Sequence, residues 1–193
     1  IDISHDGKGH GAGVFLDKVI IKEKKGSDLS PLQYVFPCGR WLDDHEDDCK
    51  TERTLRMIEV IDSKKPTPSK EAGKKSQGHW TVQVKTSDLK DAGTTAQVFL
   101  TIYGTNGHSN RLQLGKEGNP IDLFSAGKES TFQMDVGDIG KVTKLRLEHS
   151  NSGQTPDWHV DYVKLIDDDT QEMLVFYVDR WLALDKEDGQ ICR

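Results

Sequence analysis

The chain has 193 residues, 34% hydrophobic and 30% charged, with 26 basic against 32 acidic side chains and a formal net charge of −6. That apolar share is too large for a disordered tail, and no apolar run approaches the roughly 18–20 residues of a membrane-spanning helix. An acidic balance also argues against general nucleic-acid binding, which needs a basic face.

From the N-terminus, the first informative phrase is HDGKGHGAGVFLDKV (His5 to Val19), followed by FPCGRWL (Phe36 to Leu42) and the acidic run Asp43 to Asp48. The run lacks the glycine and alternate-residue spacing of an EF-hand loop and reads as a solvated turn after a strand. Ser63 to Gly78 carries five lysines, two prolines and no large apolar residue, the composition of a tether. Those lysines could reach anionic headgroups, but a soluble spacer is the simpler expectation.

Helical periodicity is nearly absent along the chain, and beyond the tether two-residue alternation recurs. Trp80, Val82 and Val84 interleave with Thr81, Gln83 and Lys85, the pattern of a half-buried strand. Val98 to Tyr103, Thr131 to Val136, Lys144 to Glu148, Val160 to Ile166 and Leu174 to Val178 follow, separated by Gly, Asn and Pro. Short strands at this spacing predict an all-β antiparallel sandwich, its two sheets about 10 Å apart.

The sequence also repeats itself. His5, Gly9, Asp17 and Val19 match His149, Gly153, Asp161 and Val163 at a constant offset, and FPCGRWL matches FYVDRWL (Phe176 to Leu182) at a second one. Asp48/Asp188 and Arg53/Arg193 keep that second offset, so the shift lies in a hairpin loop that is longer in the first copy. Residues 79–193 then form a complete copy, 60–78 a Lys/Pro-rich linker, and 1–59 the C-terminal part of a preceding copy. Half a sandwich leaves its apolar face open. Residues 1–59 are therefore expected to borrow strands, to form a strand-exchanged dimer, or to be the end of a longer module. Arg40 and Arg180 are expected to pair with Asp17 and Asp161, because a buried carboxylate needs a partner.

No G-x-S-x-G, P-loop or H-E-x-x-H phrase occurs, and the seven histidines stand singly. Cys38, Cys49 and Cys192 are sparse and odd in number, and read as reduced thiols with no zinc spacing around them. A catalytic role is not expected.

The phrases WTVQVKTSD (Trp80 to Asp88), Gly93-Thr94 before VFLTIYG (Val98 to Gly104), DWHVD (Asp157 to Asp161) and FPCGRWL resemble the PLAT, or lipoxygenase homology, domain family. The resemblance covers all but the linker. It implies an eight-stranded antiparallel β-sandwich of two four-stranded sheets, a non-catalytic module that binds lipid or protein. The tandem arrangement is similar to family members built of many such repeats. By that resemblance it implies a cytoplasmic, plasma-membrane-peripheral location in stereocilia, linking the membrane to membrane or cytoskeletal proteins.

Family members often bind calcium through loop carboxylates at one end of the sandwich. At the matching places this sequence has Gly93-Thr94-Thr95, Asp122 without its usual glutamate neighbour, and His149-Ser150-Asn151; the first copy keeps Asp6. Asp6, Asp122 and Asn151 are thus the candidate ligands of a site that looks degraded in 79–193. Calcium needs six to eight oxygens, several of them charged, so weak or absent binding is expected and no other cofactor. The resemblance further implies membrane or partner contact by Trp41 and Trp181, whereas Trp80 and Trp158 read as packing residues.

Overall fold

The computed structural model describes residues 1–25, 28–57, 59–62, 74–116 and 118–193, and divides into two compact units, Ile1–Thr67 and Pro68–Arg193. The lysines at 64, 65 and 70, and most of the predicted linker, lie outside the described residues.

The second unit carries β6 (His79–Thr86), β7 (Val98–Gly104), β8 (Gly107–His108), β9 (Leu112–Leu114), β10 (Glu129–Asp135), β11 (Val142–His149), β12 (Trp158–Asp167) and β13 (Met173–Leu182). One antiparallel sheet runs β10-β6-β12-β13; the other runs β11-β7-β8, with β9 also on β7. The alternation read from the sequence is the reason for the layers. Trp80, Val82 and Val84 of β6 join Val98, Leu100 and Ile102 of β7, Leu147 of β11 and Val163 and Leu165 of β12 in one buried cluster. Both sheets contribute to it, so the unit is an all-β sandwich. Trp158 is fully buried at the start of β12, its indole N–H donating to Thr86 Oγ1 at 3.0 Å. Among the described residues one short helix, α1 (Pro120–Leu123), interrupts the β pattern, capped by the Asn119 side chain, which accepts from Ile121 N.

The first unit contains β1 (Asp2–Ser4), β2 (Val14–Lys25), β3 (Asp28–Leu42), β4 (Glu52–Thr54) and β5 (Glu59–Asp62), in sheets β1-β4 and β2-β3-β5. Strand β5 runs past residue 59, into the stretch read as linker. From Val14 to Lys22 the β2–β3 hairpin keeps the register of β12–β13, and beyond Lys22 it slips a second time, which β12–β13 does not. Val14 faces Leu42 as Trp158 faces Leu182, Phe15 faces Trp41 as His159 faces Trp181, and Leu16 faces Arg40 as Val160 faces Arg180. Both ladders then slip, resuming with Lys18 opposite Pro37 and Tyr162 opposite Tyr177. In each, two residues (Cys38 and Gly39, Val178 and Asp179) oppose one Asp. This is a β-bulge, and the second bulged residue has positive φ, +62° in Gly39 and +39° in Asp179. The loops repeat as well. His5 and His149 each accept a backbone N–H at Nδ1, from Gly7 at 3.0 Å and Asn151 at 3.1 Å, so Nε2 carries the proton and donates to the Leu42 and Leu182 carbonyls at 2.7 and 2.9 Å.

Arg40 does not reach Asp17, whose carboxylate stands in solvent beside Lys18. Instead its Nη1 lies 3.4 Å from Asp48 Oδ2, and Arg53 clasps the same carboxylate while donating to the Trp41 carbonyl at 2.9 Å. In the second unit Arg193 binds the Asp188 carboxylate and Arg180 Nη1 lies 3.9 Å from it, but Arg193 donates to the Cys192 carbonyl, at 2.8 Å, where Arg53 uses that of Trp41. Burial pushes the Asp48 carboxyl up, but the Arg53 hydrogen bond and the charges of Arg53, Arg40 and Lys50 outweigh it and hold the group below its ordinary range. Asp188 is lowered against burial by Arg193 in the same way, and burial lowers the His149 imidazole.

All three groups bind protons more tightly in the unfolded chain, so each contributes stability that is lost on acidification. The loss starts below about pH 6.5 for His149 and below about pH 4 for the carboxylates. The Asp48 side chain is 9% exposed and that of Asp188 30% exposed. Asp48→Ala should therefore cost roughly 3 kcal/mol and Asp188→Ala about 1 kcal/mol in urea unfolding followed by hydrogen exchange within each unit. Equal losses would contradict the burial difference.

Candidate functional site

Two surfaces present groups that could engage a ligand: the aromatic corner at the end of each long hairpin, and the loops at residues 93–97, 119–127 and 149–157.

At the corner of the first unit, the bulge and the buried Arg40 fix the end of β3, so that Trp41 projects outward opposite Phe15. The rings meet edge-on at 5.7 Å and are 37% and 53% exposed, with Val14 also exposed beside them in the strand. At the corresponding corner of the second unit, Trp181 packs edge-on against His159 at 5.2 Å and carries the Lys186 ammonium 3.5 Å above its ring. Lys186 also pairs with Asp157 at 3.0 Å, and Leu184, two residues past β13, is 61% exposed. Indole joined to an apolar or cationic neighbour suits a boundary between hydrocarbon and water. The sequence located both tryptophans but not Phe15, whose signal was its place opposite Trp41 in the hairpin register.

His159 has a second neighbour, Ser87 Oγ at 2.7 Å from Nδ1. Both residues are buried, which leaves the hydroxyl shielded from any substrate, and the pair serves to orient the ring under Trp181.

The loop end is stitched by hydroxyls. Thr94 donates to the Pro156 carbonyl at 2.7 Å and accepts from Ala96 N, Thr95 Oγ1 accepts from Thr155 N at 3.0 Å, and Ser150 Oγ accepts from Gln97 N at 3.1 Å. The Thr94 N–H bonds the Phe124 carbonyl at 3.2 Å, which brings the loop of α1 to the same end. Asp122 is exposed in α1, and its carbonyl accepts from Lys128. Asn151 sits in a left-handed turn with φ of 53°. The three loops do converge, but their hydroxyl oxygens are engaged with the backbone, and Asp157 is paired to Lys186. A hard dication wants several charged oxygens, so these residues do not fit a calcium cage. Asp6 lies in the first unit, exposed, its Oδ1 accepting from Lys8 N at 3.1 Å. Among the described residues, the one group of three acidic or imidazole ligands within reach of a common ion is Asp43, Asp44 and His45. There Asp43 Oδ1 already accepts from the backbone of His45 and Glu46, which accounts for the turn without an ion.

A cavity of about 340 Å³ opens beside Trp80 in the second unit, lined among others by Lys75, Lys141, Asp138 and Glu172. Lys75 closes on Asp138 at 2.6 Å. With both signs on its wall, it selects no ligand charge. Among the described residues no helix is long and apolar enough to cross a membrane.

Comparison with known proteins places this geometry. Residues 80–191 match the family described as PLAT/LH2 domain. The whole chain aligns with "Lipoxygenase homology domain-containing protein 1" of Mus musculus at 34% identity and of Homo sapiens at 33%, spanning 10% of the length of each. "Polycystin-1-like protein 3" of Mus musculus is 36% identical over 57% of this chain and 5% of its own. Among solved structures, coral 8R-lipoxygenase superposes with a TM-score of 0.50 and 28% identity, over 54% of this chain and 15% of that one. The family match spans residues 80–191, more than half of the chain, and the chain belongs to the PLAT/LH2 domain family.

Proposed function

We propose that this chain is a non-catalytic interaction module from a tandem array of PLAT domains, holding a membrane surface against membrane or cytoskeletal proteins. The observation that carries it is the exposed Phe15–Trp41 pair, with Trp181 and Leu184 at the equivalent corner of the second unit. The shared bulge and register support reading residues 1–59 as the end of a preceding repeat. The aromatic corners support a membrane-peripheral reading, and localisation to stereocilia rests on the resemblance to many-repeat family members.

Burying one indole from its present exposure is worth roughly 1 kcal/mol, or about fivefold in partitioning. In co-sedimentation with phosphatidylserine-containing vesicles, Trp41→Ala and Trp181→Ala should each lower the bound fraction about fivefold, and the double variant more. Unchanged binding in the double variant would remove the membrane from the account.

The alternative is a calcium-regulated lipid binder. The coral 8R-lipoxygenase is described as activated by calcium through a C2-like domain, and that fold is the one matched here. The donor set at the loops favours the first reading. Calorimetric titration of the intact chain should show no calcium site of micromolar affinity, and chelator should leave sedimentation unchanged. A micromolar site, or sedimentation abolished by chelator, would establish the alternative.

A further inference from the structure

The cavity beside Trp80 has two buried polar groups in its wall that the fold leaves unanswered. It lies wholly within the second unit, at the end of β6 away from residues 93–97. Its volume of about 340 Å³ falls within the roughly 300–1,000 Å³ of small-molecule sites. Trp80 and Asp167 face each other across the β6–β12 ladder and are 3% and 1% exposed. The Trp80 indole N–H is buried and has no acceptor among the described residues. Trp158, near the other end of the same strand pair, donates to Thr86, so an indole in this core can be satisfied from within. Asp167 Oδ1 accepts from the N–H groups of Asp169 and Thr170 at 2.9 and 3.0 Å, but among the described residues no cation pairs with the carboxylate. A buried donor without an acceptor and a buried carboxylate without a counter-charge each cost free energy. Nearer the mouth, Glu172 and Lys141 add a carboxylate and an ammonium that bond no other described residue, while Lys75 is held by Asp138.

We propose that this cavity binds a small zwitterion, a primary ammonium joined to an anionic oxygen group. The ammonium donates to Asp167 and Glu172, and the anionic oxygens accept from the Trp80 indole N–H and from Lys141. A wall of both signs selects no net charge, which is the property a zwitterion matches. An apolar ligand would leave both buried groups unanswered, and a simple anion would meet the Asp167 charge. Water can accept from the indole but brings no charge to the carboxylate. The site is independent of the tryptophan corners, so its failure would leave the membrane reading standing.

The test is nuclear magnetic resonance of the intact chain, following the Trp80 indole N–H during titration with glycine and with O-phosphoethanolamine. At least one of these zwitterions should shift that signal and saturate, while inorganic phosphate and ethylammonium, each carrying half of the chemistry, should bind at least tenfold more weakly. Glu172→Gln and Lys141→Ala, at the mouth and outside the core, should each weaken the zwitterion roughly tenfold, the loss of one hydrogen bond to a charged group. Phosphatidylcholine vesicles with and without phosphatidylethanolamine then identify the source. A shift on adding the ethanolamine lipid makes the ligand a headgroup, and a shift with the soluble compounds alone makes it a free molecule; both support the site. No shift with either zwitterion, equal binding of phosphate or ethylammonium alone, or affinity unchanged in both variants would each overturn the proposal.

Discussion

Opposite Asp161, β13 places two residues, Val178 and Asp179, where an uninterrupted ladder would place one, and Cys38 and Gly39 do the same opposite Asp17 in β3. On its other side β12 has a residue to spare: Val160 faces Thr86 and Tyr162 faces Lys85 of β6, so Asp161 is unmatched there, and with side chains alternating at a period of two an unmatched residue reverses the phase of its own strand beyond it. Trp158 and Val160 face the core before the bulge, and Val163 and Leu165 face it afterwards. Without the slip, half of β12 would turn its apolar residues to solvent. On β13, Arg180 shares the inward phase of Phe176, Val178 and Leu182, and the following tryptophan stays at the rim.

Much of this could be read from the residues. Alternation in Trp80 to Val84 and the spacing V-x-L-x-x-V-x-I of Val14 to Ile21 already contain the strands and the phase change. The matched positions Asp48/Asp188 and Arg53/Arg193 are legible as repeats, but the sequence alone points Arg40 to Asp17, its near neighbour across the hairpin. The structure chose Asp48 because the turn after β3 folds back under the guanidinium, a contact between segments whose approach depends on turn geometry. Helix α1 escaped because four residues show no periodicity; its signal was local, Asn119 followed by Pro120. The loop sequences showed the missing carboxylates, but not that Thr94, Thr95 and Ser150 are occupied in holding the loops to one another.

The two corners show how one scaffold yields different surfaces. The backbone places Trp41 and Trp181 alike, but the residue opposite is phenylalanine in one and histidine in the other, and Lys186 covers only the second ring. The first corner is greasier, the second more polar. Each corner thus offers a surface of its own, while the Arg–Asp clasp beneath keeps the end of the strand from fraying.

The account's central claim is that residues 1–59 carry the same bulged hairpin as residues 149–193. Cross-strand nuclear Overhauser contacts test this most directly. The account predicts Lys18 opposite Pro37 and Tyr162 opposite Tyr177, with Asp17 and Asp161 each facing a two-residue bulge. A straight ladder in the first hairpin, with Asp17 opposite Gly39 and Lys18 opposite Cys38, would contradict it.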